Sequence, residues 1–234
     1  MTAVTKRELK SYFYSPVGYV CVGVLLALYG YYFYQVMMLR SSSYISSVYG
    51  TLFVWSMMII PILTMRSFSE EIRNKTDQAL LTAPVGVTSI VMGKFLAALA
   101  VYAIAIAGSL VPAVVIGCFS SPSWPQIFGN AFGTLLYGAA MISIGVFISS
   151  LTQSQIVSAI GTFGIAIILL VIDQMTSVVS NPVVTKIIGW ISFNTRYTPF
   201  TKGSFDIPSM VFFLSVIAVF VFLTARKLES RRWG

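Results

Sequence analysis

Apolar residues run on without alternation along most of the chain, and short polar breaks divide them into long blocks. Stretches such as residues 165–172 are continuously apolar, which excludes the ten-residue apolar/polar alternation of a membrane β-barrel. Read against the roughly 20 apolar residues that a spanning helix needs, six blocks predict transmembrane helices. They are Val17–Met38, Val48–Met65, Ile90–Gly117, Phe128–Leu151, Ile156–Val179 and Met210–Thr224. The first is too long for a signal-peptide core and no small-residue cleavage site follows it, so it is expected in the mature protein.

The polar breaks carry pattern of their own. Ahead of the first block, Thr5, Leu9, Tyr12 and Phe13 share one helical face and Lys6, Arg7 and Lys10 flank it, which predicts an interfacial amphipathic helix. Ser15-Pro16-Val17-Gly18 ends it, because proline disfavours helix at the residue before it. Two readings are open for this helix: a basic anchor that sets topology, or an elbow that touches a partner. Between the last two blocks, from Ser180 to Ile207, Trp190, Phe193, Tyr197 and Phe200 suit a membrane interface and predict short helices on or dipping into the outer leaflet.

The largest polar island runs from Arg66 to Pro84. Ser67-Phe68-Ser69-Glu70 has capping-box spacing. Phe68, Ile72, Ala79, Leu80 and Ala83 fall near one face, with Glu71, Arg73, Lys75 and Asp77 elsewhere. One or two short amphipathic helices under the membrane are expected. In the fourth block Gly129 and Gly133 form G-x-x-x-G, which lets helix backbones approach closely, either within the chain or at a dimer seam.

Composition and charge narrow the class. Hydrophobic residues make up 57% of the chain and charged ones 9%, so a membrane protein with one transmembrane domain over residues 1–234 is expected. The formal net charge of +8 would suggest nucleic acid in a soluble chain. With the N-terminus inside, however, eleven of the fifteen basic residues lie on the cytoplasmic side, and only Arg40, Lys186, Arg196 and Lys202 lie outside. That is the positive-inside pattern, with both termini in the cytoplasm, and nucleic acid is not an expected partner.

Candidate chemistry is sparse. The chain has no histidine, and Cys21 and Cys118 fall toward opposite membrane faces, so neither a disulfide nor a zinc, haem or iron–sulfur site is expected. The region from Gly86 to Phe95 lacks the spacing and the Ser/Thr of a P-loop. Without a nucleotide site or a Ser/His/Asp set, the chain is expected to be no enzyme. Six spans with the polar island as a docking handle suggest the membrane half of a machine whose motor is another protein. Asp173, near the outer end of the fifth block, is the one acid close to the membrane interior. A charge there is expensive, so it either faces a water-filled substrate path or caps a helix end.

Four segments, spread over nearly the whole chain, resemble the membrane subunits of type 2 ABC transporters, particularly the branch named after gliding motility. They are RELKSYFYSPVGY from Arg7 to Tyr19, and EEIRNKTDQALLTAP from Glu70 to Pro84 with GKF at Gly93–Phe95. ISSLTQSQIV from Ile148 to Val157 and FTKGSFD from Phe200 to Asp206 complete the set.

The resemblance implies an all-α integral membrane permease with six transmembrane helices, an elbow helix, a cytoplasmic coupling helix and short external helices before the last span. It implies pairing with a second permease, identical or different, on two ATP-binding subunits that carry ATP and Mg, with no cofactor bound by this chain. An external accessory protein is a further candidate partner beside membrane lipids. The bacterial cytoplasmic (inner) membrane is the implied location, and export the implied direction. By position, Glu70, Glu71, Arg73, Asn74, Lys75 and Thr76 would form the ATPase-facing coupling surface. The family pattern has Gly before the Thr and Glu two residues after it, where this chain has Lys75 and Gln78, and the external segment lacks a histidine often seen there. Rival readings are a six-helix vitamin-capturing carrier and an ATPase-coupled mechanical or signal transmitter.

Overall fold

A computed structural model describes residues 2–38, 45–76, 86–119, 123–178 and 189–233. In chain order the helices are α1 (Thr2–Tyr14), α2 (Pro16–Met38), α3 (Ile45–Thr64), α4 (Ser69–Arg73) and α5 (Val87–Phe119). They continue with α6 (Trp124–Leu151), α7 (Gln155–Val178), α8 (Phe193–Thr201) and α9 (Ile207–Trp233). No strand occurs among the described residues. Among the described residues six helical stretches are long and apolar enough to cross a membrane: Pro16–Gln35, Val48–Arg73, Val87–Val115, Trp124–Leu151, Gln155–Met175 and Ile207–Arg231. These are the six predicted blocks, with ends shifted by up to eight residues.

The bundle is built around α6, whose spanning window is 72% buried against 17% for α9 and 22% for α2 and α7. Around it the outer helices turn Val111, Ile156, Ile160, Ile168, Val171, Val211 and Phe222 outward. Such a surface would be an aggregation liability in water but meets lipid without cost. In lipid, apolar burial itself drives little association, so close approach and hydrogen bonds must hold the helices. The glycines of α6 supply the approach. A Cβ at Gly138 would overlap the Tyr102 ring of α5, and one at Gly145 would overlap Thr64 of α3. A Cβ at Gly129 would come within 2.7 Å of the Phe200 carbonyl oxygen, and one at Gly133 within 2.6 Å of the Phe200 Cβ. The G-x-x-x-G pair therefore receives α8 of the same chain.

At that end, α8 inserts Phe193, Tyr197 and Phe200, all buried. Tyr197 and Thr134 share a hydroxyl hydrogen bond of 2.9 Å, and the Tyr137 ring meets Phe53, Phe193, Tyr197 and Phe213. From there α9 runs back past Phe147, whose ring meets that of Phe220 at a tilt, 5.6 Å between centroids, toward the end where α1 lies. Six crossings thus bring both ends of the chain to one end of the bundle.

Candidate functional site

At the elbow end, three elements distant in sequence converge on one ammonium group. Lys94, in the second turn of α5, is a charge at the start of an apolar helix, and its side chain is only 2% exposed. Its Nζ lies 2.9 Å from Glu71 Oε1 of α4 and 3.2 Å from Glu8 Oε2 of α1, and 5.0 Å from the Phe68 ring centroid. Arg7 adds a second cation, 3.2 Å from Glu71 and 3.1 Å from Glu8. A buried charge is tolerated only when paired and hydrogen-bonded. Here two carboxylates and two cations neutralise one another across the junction of α1, α4 and α5.

The sequence builds each arm locally. The apolar face of α1 docks as expected, with Leu9 and Phe13 packed on the core and Tyr12 buried, while Lys6, Arg7 and Lys10 stay exposed. Gly93 leaves room for Val4, whose Cγ1 a Cβ would meet at 2.8 Å, so α1 lies hard against α5. Tyr12 donates to the Leu63 carbonyl at 3.1 Å and meets Ser67 Oγ at 3.3 Å. Burial pushes its hydroxyl up to about 12, partly offset by the Ser67 hydrogen bond. Arg66 pairs with Glu70 at 3.1 Å and also donates to Ser15, in the break between α1 and α2.

The start of α4 differs from the capping-box expectation. Phe68 is its N-cap, with no side-chain cap of its own. The acceptor comes from α6 instead: Ser149 Oγ accepts from the backbone N–H groups of Phe68 at 3.0 Å and Ser69 at 3.1 Å, and donates to the Met65 carbonyl at 3.1 Å. Ser69 turns its own hydroxyl back to Met65. A hydroxyl 80 residues away takes the role while the box partners are engaged elsewhere, the Ser67 N–H with the Thr64 carbonyl, the Ser67 hydroxyl with Tyr12 and Glu70 with Arg66.

The end of α4 is equally defined. The N–H of Thr76 reaches the Glu71 carbonyl at 3.0 Å and that of Lys75 the Ile72 carbonyl at 3.3 Å, the hydrogen-bond pair of a Schellman turn. Lys75 holds the left-handed position, φ 56°.

Between these elements lies a polar cavity of about 310 Å³, lined by residues that include Arg7, Glu8, Arg66, Glu71, Asn74 and Lys94. The six residues expected to form a coupling surface are thereby divided. Glu70 and Glu71 turn toward Arg66, Lys94 and Arg7, whereas Arg73, Asn74, Lys75 and Thr76 are exposed. Asp77, Gln78, Ala79, Leu80, Ala83 and Pro84 lie outside the described residues.

Asp173 sits at the opposite end of the bundle. Its Oδ1 accepts from Ser192 Oγ at 2.7 Å and from the Asn194 backbone N–H at 3.3 Å. The carboxylate thus meets the first turn of α8, where a negative group is favoured by the exposed N–H groups. Ser192 is itself the N-cap, accepting from Thr195 N–H at 3.0 Å.

Lys94, Glu8, Arg7, Tyr12 and Ser149 were not among the predicted site residues. One sequence signal pointed to Lys94: a cation inside an otherwise apolar block must find an anion. Ser149 falls within the family-like segment Ile148–Val157, but nothing local marked it as the cap of α4.

Among the described residues no group of three or more His, Cys, Asp or Glu side chains could hold a metal ion. The chain matches the family model described as "ABC-2 family transporter protein" over residues 2–227. It matches no individual curated protein.

Proposed function

The chain belongs to the ABC-2 family of transporter proteins, and from that membership we propose that it is the permease half of an exporter driven by separate ATP-binding subunits. The membership carries the coarser statement, a multi-pass membrane subunit of an ABC transporter. Motor coupling, outward transport and pairing with a second permease are our reading.

The observation that favours coupling is the ion cluster on Lys94. A motor pushing on residues 70–76 would move α4, and through Glu71 the push would reach Lys94 on α5 and Arg7 on α1 together. Packed, ion-paired elements move as one body, so the elbow and the third span would follow the motor's stroke. Cargo would then pass along a path rearranged between paired permeases.

The test is replacement of the exposed residues 73–76 by a Gly/Ser linker in the full chain, which leaves the Glu71–Lys94 pair intact, purified gently in lipid nanodiscs. An ATP-binding subunit that accompanies the wild-type chain and is lost from the variant is the expected result. Equal amounts of the subunit with both proteins would contradict the assignment of this segment. Tight binding of a small ligand by the isolated chain, unaffected by the linker, would point to a ligand-capturing carrier instead.

A further inference from the structure

We infer that the surface offered to the motor subunit is basic, with Arg73 and Lys75 as the recognised charges, and that the partner's docking cleft is acidic. The inference rests on the partnership proposed above and assigns its chemistry.

Among the described residues, the carboxylates at the elbow end already face cations of the same chain, Glu8 and Glu71 in the largely buried cluster and Glu70 and Glu229 in surface pairs. Glu8, Glu70, Glu71 and Glu229 each have a cation of this chain within 3.2 Å. None of these four is left as a free anion for a partner's arginine or lysine. Arg73 and Lys75 differ: both are exposed, and neither is ion-paired among the described residues.

The backbone gives a second, independent observation. Lys75 occupies a left-handed position, φ 56°, which glycine adopts freely and a residue with a side chain only at a cost. The turn therefore carries an exposed ammonium at its tip against the local conformational preference, which is understandable if the charge is used.

Lipid headgroups are the competing anion, and the packing argues against them. From Arg66 to Thr76 the large apolar side chains, Phe68 and Ile72, are buried at 1% and 7% exposure, so this described stretch offers no large apolar side chain to insert beneath headgroups. The elbow is different: Tyr14 is exposed and Lys10 lies over its ring at 5.8 Å, a pairing suited to a membrane interface. Two clustered cations on a polar tip suit a protein cleft of opposite charge, where complementarity sets specificity and on-rate.

The test uses the wild-type complex in nanodiscs, its ATP-binding subunit identified by mass spectrometry. Arg73→Glu with Lys75→Glu should lower the retained subunit by about tenfold or more, since like charges then face each other. Lys75→Gly, which relieves the backbone strain, should lower retention in the same direction, so poor folding cannot explain the loss. In the wild type, a carbodiimide should join the Lys75 amine to an Asp or Glu of the subunit. Undiminished retention in the double reversal overturns the inference and leaves lipid headgroups as the partner of these cations. A complex that forms with Lys75 unlinked to any subunit carboxylate overturns it too. Absence of any ATP-binding subunit from the wild-type preparation would instead remove the partnership itself.

Discussion

Lys94 of α5 and Glu71 of α4, 23 residues apart in sequence, form an ion pair of 2.9 Å with the ammonium almost wholly out of solvent. Glu8 completes the contact from α1 at 3.2 Å. One side chain therefore ties the elbow, the short helix after the second span and the start of the third. Because the pair is buried, removing one partner strands the other, at about 3–5 kcal/mol. We predict that Lys94→Met lowers the thermal unfolding midpoint of the purified chain clearly, and that adding Glu71→Gln recovers part of the loss. An unchanged midpoint for Lys94→Met would show that the cluster holds nothing.

Ser149 should matter out of proportion to its size. Its hydroxyl accepts two buried backbone N–H groups and donates to a carbonyl, and unsatisfied buried groups cost about 1–3 kcal/mol. Ser149→Ala is expected to raise hydrogen exchange at Phe68 and Ser69 while exchange in α8 stays as it was. Protection unchanged at both amides would mean that another acceptor caps α4.

Tyr12 makes the docking of the elbow pH-dependent at the alkaline end. Its hydroxyl is held up to about 12 by burial, against about 10 in an unfolded chain. The neutral phenol is the form that the fold favours, so its contribution is full below pH 10 and fades as pH rises toward 12. The displacement corresponds to roughly 3 kcal/mol. Tyr12→Phe, lacking the titrating group, should show a flatter decline of stability across that window. Parallel declines for both proteins would remove Tyr12 as the cause.

The glycines fall into two groups that a single substitution separates. Gly138→Ala drives a methyl into the Tyr102 ring, and overpacking of this kind costs about 1–3 kcal/mol. At Gly23 and Gly30 a Cβ meets nothing within 4 Å, and alanine there should be neutral or stabilise α2 by up to about 1 kcal/mol. Comparison of unfolding midpoints for the three variants checks the packing, and equal effects at all three sites would argue against it.

How far the sequence carried depends on the distance over which each feature is decided. Span positions follow from local hydropathy, so Val17–Met38 and Phe128–Leu151 correspond closely to α2 and α6. The amphipathic pattern of Thr5, Leu9, Tyr12 and Phe13 likewise became the docked face of α1, because periodicity alone fixes a face. The cap of α4 failed as a local reading: the acceptor stands in another helix, and the Glu70 that would have closed the box is held by Arg66. The same holds for Glu71. The resemblance implied a partner-facing position for it, and only the fold brings Lys94 and Arg7 beside it. The two alternatives for G-x-x-x-G were separable only once α8 was seen against Gly129 and Gly133.

The central claim is that this membrane subunit works with a separate motor. Purification of the tagged chain from its native membrane in mild detergent, followed by mass spectrometry and an ATPase assay, tests it most directly. The account predicts a co-purifying P-loop protein and ATP hydrolysis by the complex. A chain recovered repeatedly alone from gentle lipid nanodiscs, without ATPase activity, would contradict it.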